Sequence, residues 1–162
     1  LSAPPVAKNA SNVAIRTIEV PRDLPTWLQL RDRVIAGLQP TPRPWTTANF
    51  QVEMLAKPWW RADRCWIAEV RESAHESPTM IGSVTLAERV GDQVSVPVVH
   101  WLIVDPTWRR HGIGRLLMNQ LEQAAWEAGH RELQLETHAG WTAAVAFYQS
   151  IGYAPVRGLS PR

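Results

Sequence analysis

The sequence predicts a single domain of the mixed α/β class, in which helices flank a central sheet. The first observation is the length of 162 residues, which suits one domain with its own core. The second is a composition of 45% hydrophobic and 20% charged residues, which is ordinary for a globular protein. The third is the order strand, helix, strand from Val98 to Thr137, which predicts a βαβ unit with parallel strands.

Residues 1–12 differ in composition from the rest of the chain. They are rich in Ala, Ser, Pro and Asn and show no periodicity, so we expect a flexible leader over 1–12 and one domain over 13–162. The chain has no run of about 18 apolar residues and no readable export signal, which predicts a cytoplasmic protein that does not enter membranes. The single cysteine, Cys65, cannot form an internal disulfide and suits a reducing compartment.

The charged residues narrow the possible partners. Lys and Arg number 17 and Asp and Glu number 15, which gives a net charge of +2. Because no basic run interleaves with aromatic residues, we do not expect a nucleic-acid partner. No histidine has metal-ligand spacing with a carboxylate or a cysteine, so we expect no metal site.

The N-terminal half predicts a strand and two helices. Weak alternation predicts a strand over Val13–Val20, and apolar residues at helical spacing predict a helix from the Pro25 turn to about Gly37. Three prolines then forbid regular structure. Thr46 and Thr47 can cap a second helix, which Lys57 and Pro58 end.

The pattern then changes to extended structure and returns to helix later in the chain. Alternation and turn residues predict a hairpin of Cys65–Val70 and Met80–Leu86, and a long β-branched run predicts a third strand over Val94–Val104. The remaining predicted elements are a helix over Arg115–Ala128, a short strand over Leu133–Thr137 and a helix over Trp141–Ser150.

The most informative segment joins the long strand to the following helix. Gly112 and Gly114 stand at this turn, where glycine lets the backbone approach a ligand and the first helical turn leaves N–H groups unpaired. Such a turn is a site for a phosphate or pyrophosphate. The same turn also carries positive charge from three arginines, which are Arg109, Arg110 and Arg115.

The glycines alone leave several interpretations open. A P-loop is excluded because its glycine spacing and its Lys-Ser/Thr pair are missing. A dinucleotide fingerprint is incomplete because Leu117 stands where the third small residue belongs, although Glu136 lies near the distance expected for a ribose-binding acid. The glycines can also form a plain tight turn beside solvated arginines.

Two segments of the chain, Arg109–Gly114 and Ala144–Tyr153, carry spaced motifs. The first reads Arg-x-x-Gly-x-Gly and the second Ala-x-x-x-Tyr-x-x-x-Gly-Tyr. They resemble, in the same order, the Arg/Gln-x-x-Gly-x-Gly/Ala signature and the Ala-x-x-x-Tyr-x-x-x-Gly-Phe/Tyr pattern of the GCN5-related N-acetyltransferases, the GNAT superfamily. One helix and one strand separate the two segments, as in the family. The resemblance is strongest over Val98–Ala154. It implies a GNAT-type fold, in which a central mixed sheet has splayed parallel strands.

The resemblance also implies an activity and a set of cofactor contacts. It implies an N-acetyltransferase that moves an acetyl group from acetyl-CoA to a primary amine by direct attack, without a covalent enzyme intermediate. The acceptor is open between small amines, amino acids and the N-termini or lysines of peptides and proteins, because no motif in the sequence identifies it. The pyrophosphate would lie on the Arg109–Gly114 turn, and the pantetheine would pair with the strand before it. The residues implied to bind coenzyme A are Leu102, Ile103, Val104, Arg109, Arg110, His111, Gly112, Ile113, Gly114, Arg115, Trp141, Ala144 and Phe147.

Two residues are the candidate catalytic groups. Tyr148 matches the family's tyrosine, and a phenol can supply a proton to the departing thiolate. His100 is the candidate base because imidazole titrates near neutral pH, and alternation would give it a face shared with Leu102 and Val104 unless a bulge intervenes. Glu136 is the reserve base.

Two departures from the family pattern keep a second hypothesis open. Trp141 stands where many members have an asparagine, so an indole N–H would replace that polar contact. After Tyr153 only a short tail remains for the family's last strand, so a second copy of the chain in a homodimer could complete the sheet. The alternative function is a non-catalytic module that binds acyl-CoA.

The nine tryptophans exceed the two tyrosines and two phenylalanines. We expect them to divide between the two halves of the domain. Most of one group should pack around the βαβ unit, and this group is Trp101, Trp108, Trp126 and Trp141. At least one residue of a second group should face a pocket for an apolar, aromatic or cationic acceptor, and this group is Trp27, Trp45, Trp59 and Trp60.

Overall fold

The computed structural model describes residues 12–91, 94–138 and 140–156, which form one layered α/β arrangement. Its strands are β1 (Val13–Thr17), β2 (Cys65–Val70), β3 (Thr79–Val90), β4 (Ser95–Val104) and β5 (Gln134–Leu135). Its helices are α1 (Leu24–Ile35), α2 (Thr47–Phe50, continued by a π-helical turn over Gln51–Leu55), α3 (Ile113–Glu127) and α4 (Thr142–Ser150). The element order confirms the mixed α/β prediction.

The five strands form one sheet in the order β1-β2-β3-β4-β5. The first four strands pair antiparallel, and β5 pairs parallel to β4 after the α3 crossover. This is the predicted βαβ unit. No strand follows β5 within the described residues, and the last residues of the predicted tail, 157–162, lie outside them. The predicted leader also lies outside them, apart from Asn12.

Local hydrogen bonds explain where several elements begin and end. α1 carries Pro25 in its first turn, where the missing N–H costs nothing. Thr46 caps α2 as predicted, because its side chain accepts from Asn49 N and the Asn49 side chain accepts from Thr46 N. β1 ends before the predicted Val20 because Glu19 N donates to Asp23 Oδ2 (2.7 Å) and leaves the sheet.

Two hydrophobic clusters lie on opposite faces of the sheet. α3 covers one face with a buried stripe that includes Leu117, Met118 and Leu121. α1 and α2 cover the other face, where Trp27, Phe50 and neighbouring side chains are buried. Both faces of β4 are therefore covered by helices, although several of its side chains are only half-buried. Among the helices of the described residues, none has the length and apolar character to cross a membrane.

Candidate active site

A β-bulge interrupts β4 at Trp101 and Leu102. Ser83 of β3 pairs with Ile103 and Thr85 pairs with His100, so two residues of β4 oppose the single residue Val84. Trp101 adopts a left-handed φ of +49° at this point. This bulge is the exception to the alternation expected along β4, and with it His100 shares a face with Ile103, not with Leu102 and Val104.

The parallel strands part just before the bulge. The last pair between β4 and β5 is Val99 with Leu135, and β5 has only two residues, fewer than the predicted Leu133–Thr137. The end of β4 beyond the bulge therefore has an open edge where β5 has stopped, as expected for splayed strands.

One hydrogen bond shows which backbone groups face the open edge. Asp105 N donates to Ile81 O of β3 at 2.8 Å. Because antiparallel residues direct their backbone groups alternately to the two sides, Ile103 faces β3, whereas Leu102 and Val104 direct their N–H and C=O groups to the open edge. Of the three residues expected to pair with a ligand, Leu102 and Val104 therefore have backbone groups on the open side.

The buried carboxylate of Asp105 fixes the turn that follows β4. Its Oδ1 accepts from Thr107 N (2.9 Å) and Thr107 Oγ1 (2.8 Å), and its Oδ2 accepts from Arg33 Nε of α1 (3.0 Å). Burial raises the pKa of Asp105, but these hydrogen bonds outweigh it and hold that pKa below its usual value. The ionised carboxylate thus ties the turn to α1.

The start of α3 presents unpaired backbone donors. Gly112 is the N-cap with φ +79°, and a Cβ there would meet nothing within 4 Å. The first backbone bond of the helix runs from Leu116 N to Gly112 O (3.0 Å), so the N–H groups of residues 113–115 precede it at the positive end of the helix dipole.

Exposed positive side chains surround these donors. Arg109, Arg110 and Arg115 are exposed, and Arg110 adopts φ +64°. The His111 ring folds back onto its own turn, with Nδ1 2.9 Å from Arg109 O. Open backbone donors beside exposed cations fit a pyrophosphate group.

Gly114 has a packing role that the sequence did not indicate. A Cβ at this position would lie 3.1 Å from Cζ and 3.3 Å from Cε2 of Phe147 on α4. The missing side chain therefore admits the Phe147 ring against the first turn of α3. Close contact between α3 and α4 explains this glycine more directly than a ligand does.

Tyr148 lies half-buried on α4 among aromatic rings. Its ring centroid is 5.5 Å from that of Phe147 and 6.0 Å from that of Tyr153. Burial raises the pKa of Tyr148 to about 12, so its phenol stays protonated at neutral pH. Tyr153 is held by a hydrogen bond in which its hydroxyl donates to Glu122 Oε1 of α3 (3.0 Å).

Trp141 and Ala144 lie at the start of the same helix. Trp141 is the N-cap of α4, and its indole Nε1–H is buried without an acceptor among the described residues. Its ring lies 5.7 Å from that of His138. Ala144 is half-buried one turn further along.

A cleft of about 340 Å³ opens on the α1 side of β4. Its lining residues are Trp45, Glu53, Lys57, Trp59, His100 and Trp101. Trp45 and Trp59 belong to the group expected to face a pocket. Trp27 instead lies fully buried in the core, where its Nε1–H donates to Ser83 Oγ (3.0 Å).

Trp101 is an exception in the group of tryptophans that we expected mostly to pack around the βαβ unit. It packs with the α1 and α2 cluster and lines the cleft. The bulge is the reason, because it lets the consecutive residues His100 and Trp101 both contribute side chains to the cleft.

His100 is held in the cleft by ring stacking. Its imidazole lies on the Trp59 indole with centroids 5.1 Å apart and planes at 16°. Burial lowers the pKa of His100, which Glu136 opposes only in part, so the imidazole is neutral at pH 7. A neutral imidazole can accept a proton.

Glu136 is less well placed than His100 for the same role. Its exposed carboxylate accepts from Arg89 Nη2 at 2.7 Å. Glu136 is not among the described residues that line the cleft. It influences the cleft through its charge, which acts on His100.

Two charged features of the cleft were missed by the sequence interpretation. Glu53 Oε2 lies 3.5 Å from Lys57 Nζ one turn away, a spacing that was visible in the sequence. Arg31 lies behind the cleft, with its Cζ 4.2 Å from the Trp45 ring centroid and 4.7 Å from that of Trp101. Its place on the apolar stripe of α1, four residues after Trp27, was the available signal.

The site therefore joins three parts: a helix N-terminus that fits phosphates, an open strand edge, and a cleft with a neutral histidine. This arrangement is typical of a transferase that takes a group from a long, phosphate-bearing donor. Residues 31–153 match the family model of the acetyltransferase (GNAT) family. The chain belongs to this family.

Individual relatives of known sequence share limited identity with this chain or match only part of it. An uncharacterized protein of Mycobacterium leprae is 27% identical over 161 residues, which are 99% of this chain and 39% of that protein. The ribosomal protein bS18-alanine N-acetyltransferase of Escherichia coli K12 is 38% identical over 52 residues, or 32% of this chain and 35% of that enzyme. These matches span less than two-fifths of either curated relative.

A solved structure of the aminoglycoside N-acetyltransferase AAC(6')-Iy in complex with CoA shares the fold. It aligns with a TM-score of 0.67 and 19% sequence identity, over 97% of this chain and 98% of that one. The alignment confirms that the mixed sheet and its flanking helices form a GNAT fold.

Proposed function

We propose that the protein transfers an acetyl group from acetyl-CoA to a primary amine by direct attack of the amine. The observation that carries the proposal is the bulge in β4. It places backbone groups of Leu102 and Val104 on an open edge and the side chain of His100 in the adjoining cleft. Because consecutive Cα atoms are about 3.8 Å apart, the two substrates can meet within a few residues of one strand.

The chain offers contacts for two parts of coenzyme A, the pyrophosphate and the pantetheine. The N–H groups of residues 113–115, with Gly112, Arg109, Arg110 and His111 around them, would hold the pyrophosphate. Leu102 and Val104 would pair with the pantetheine amides as an added strand does. Trp141, Ala144 and Phe147, at the start of α4 and along it, would contact the pantetheine on the side away from β4. Acetyl-CoA supplies a thioester whose carbonyl carbon accepts the amine.

The backbone and His100 would act on the acceptor side. An outward-facing N–H at the bulge, such as that of Leu102, would donate to the carbonyl oxygen as negative charge develops on it. Neutral His100 would take a proton from the attacking amine, directly or through water. Its stacking on Trp59 would fix the orientation of the ring for this transfer.

Tyr148 would act on the sulfur. With a pKa raised to about 12, the phenol is a hydrogen-bond donor throughout the physiological range. A thiol has a pKa near 8.5, so complete proton transfer from this phenol to the thiolate is uphill. The main contribution expected from Tyr148 is therefore a hydrogen bond that stabilises the sulfur as its bond to carbon breaks.

Calorimetry and a thiol-release assay test the proposal together. Acetyl-CoA should give binding heat and NAD should give none, and at least one primary amine should release free thiol from acetyl-CoA. Absence of binding heat with acetyl-CoA at high protein concentration would contradict the proposal. Binding without turnover on any amine would favour the non-catalytic acyl-CoA module instead.

A further inference from the structure

The charges around the cleft do not favour a polycation. The carboxylate of Glu53 is already paired with Lys57 at 3.5 Å. Arg31 is almost fully buried against Trp45 and Trp101, where its guanidinium stays charged. Its Nη1 donates to Arg43 O (3.2 Å) and Asp32 Oδ1 (3.3 Å). Among the described residues around the cleft, these two ion pairs leave no surplus of negative charge, which a polycationic acceptor would need.

Arg31 also changes what the indoles can bind. A guanidinium already lies over the rings of Trp45 and Trp101, so each has one cation–π contact made from behind the cleft. A second cation on the same rings would be repelled by the first. The indoles are therefore better suited to a flat apolar group than to an ammonium.

Three indoles form most of the apolar wall. Trp45, Trp59 and Trp101 are all half-buried, so part of each ring faces the cleft. The Trp45 and Trp101 rings meet edge to face at 4.7 Å and 68°, and buried Trp27 supports both from below at about 6 Å. This packing gives the wall a fixed shape, and aromatic rings prefer edge-to-face or offset partners of their own kind.

The volume sets the size of the acceptor. About 340 Å³ is near the lower end of the range of roughly 300–1,000 Å³ for ligand pockets. A cleft of this volume accommodates a single ring with a short amine-bearing chain. The His100 imidazole, at the bulge end of the same wall, lies where the amino group would need it.

Resting on the proposed function, we propose that the acceptor is a small primary monoamine that carries a planar aromatic group. The ring lies against Trp45 and Trp101, and the amino group faces His100. Desolvation against the indole wall favours the neutral amine, which is the form that attacks.

The test compares amines that differ in one feature. With saturating acetyl-CoA, kcat/KM is measured for 2-phenylethylamine, propylamine, spermidine, kanamycin and a peptide with an N-terminal alanine. We expect 2-phenylethylamine to exceed each of the others by at least tenfold. A tenfold preference for spermidine, kanamycin or the peptide would overturn the inference.

Substitutions of Trp45 distinguish loss of the contact between this indole and the ring of the amine from a general loss of activity. Trp45→Ala should raise KM for 2-phenylethylamine about tenfold and affect propylamine much less, whereas Trp45→Phe should restore most of the preference. Trp126→Ala is the matched control because this half-buried indole lies on α3, under the Arg131 guanidinium. Equal losses for both amines in folded Trp45→Ala would overturn the ring contact.

A binding arm distinguishes failure of this inference from failure of catalysis. Calorimetry titrates 2-phenylethylamine into the protein saturated with coenzyme A. Binding that disappears in Trp45→Ala, together with no thiol release from any amine, would sustain the ring site and refute the acetyltransferase proposal. Turnover of other amines without binding of 2-phenylethylamine would refute the ring site alone, and absence of both would refute the two proposals together.

Discussion

The two sides of β4 build their sites from different materials. On the side where we propose that coenzyme A binds, the candidate contacts are backbone groups: the open edge at Leu102 and Val104 and the first N–H groups of α3. On the side proposed for the acceptor, the candidate contacts are side chains from distant segments, such as Trp45, Trp59 and His100. The α3 N-terminus depends on local conformation, so it leaves a compact glycine motif in the sequence. The open edge, which needs the bulge and the early end of β5, and the side-chain cleft depend on tertiary packing and leave no such motif.

The largest expected effect is on the acceptor side. His100→Gln should lower kcat by about 10²- to 10⁴-fold, because glutamine cannot take the proton from the amine. Acetyl-CoA affinity, measured by calorimetry, should stay unchanged because the backbone side is intact. In the unsubstituted protein at saturating amine and acetyl-CoA, kcat should fall with pH only below the ordinary imidazole value of 6.5, since burial lowers the pKa of His100 and its protonated form cannot accept a proton.

The pH profile of His100→Gln also gives the result that would contradict the role of His100 as the base. The acidic limb should disappear from the small residual activity of His100→Gln. A variant that keeps both the limb and a rate within tenfold of the original would exclude His100 as the base.

A second substitution removes the donor to sulfur. Tyr148→Phe should lower kcat about 10- to 100-fold, since a hydrogen bond to a charged group contributes roughly 1.5–3 kcal/mol. Cofactor affinity should change little. Tyr153→Phe is the matched control: it deletes the hydroxyl that bonds Glu122 and should affect stability but not kcat. Equal kcat losses in the two variants would indicate that both hydroxyls only stabilise the fold and that neither donates to the sulfur.

The backbone donors on the proposed coenzyme A side are disturbed by substitutions that change backbone conformation. Gly112 and Gly129 both have positive φ and open space where a Cβ would lie, so alanine at either should cost about 1–2 kcal/mol of unfolding free energy. Only Gly112→Ala should also weaken acetyl-CoA binding, because only Gly112 precedes the α3 donors. Denaturant unfolding and calorimetry measure the two effects. Equal cofactor affinity in the two variants would count against the anion turn.

The smallest effect is expected at the exposed arginines. Arg109→Ala should weaken acetyl-CoA binding by up to about fivefold, because an exposed ion pair such as one between this arginine and a phosphate contributes roughly 0.2–1 kcal/mol. The loss should shrink as salt concentration rises. Arg71→Ala, an exposed arginine between β2 and β3, is the control. A salt-independent loss at Arg109 would mean that its role is not electrostatic.

The same contrast explains how much of the structure the sequence predicted. The β2 boundaries and the α3 turn followed from alternation, helical spacing and glycine, all of which act locally. The bulge was not predictable, because Trp101 adopts a positive φ without being glycine and only the pairing with β3 imposes it. The orientation of Trp101 and the place of Arg31 behind the cleft depend on that pairing and on α1, so the acceptor side required the fold.

The most direct test of the site is amide hydrogen exchange by NMR with and without acetyl-CoA. If coenzyme A pairs with the open edge of β4 and the start of α3, the amides of Leu102, Val104 and residues 113–115 should exchange more slowly on binding, whereas Ile103, which already faces β3, should change little. Acetyl-CoA binding that leaves Leu102 and Val104 unprotected, or that protects Ile103 in their place, would contradict this pairing.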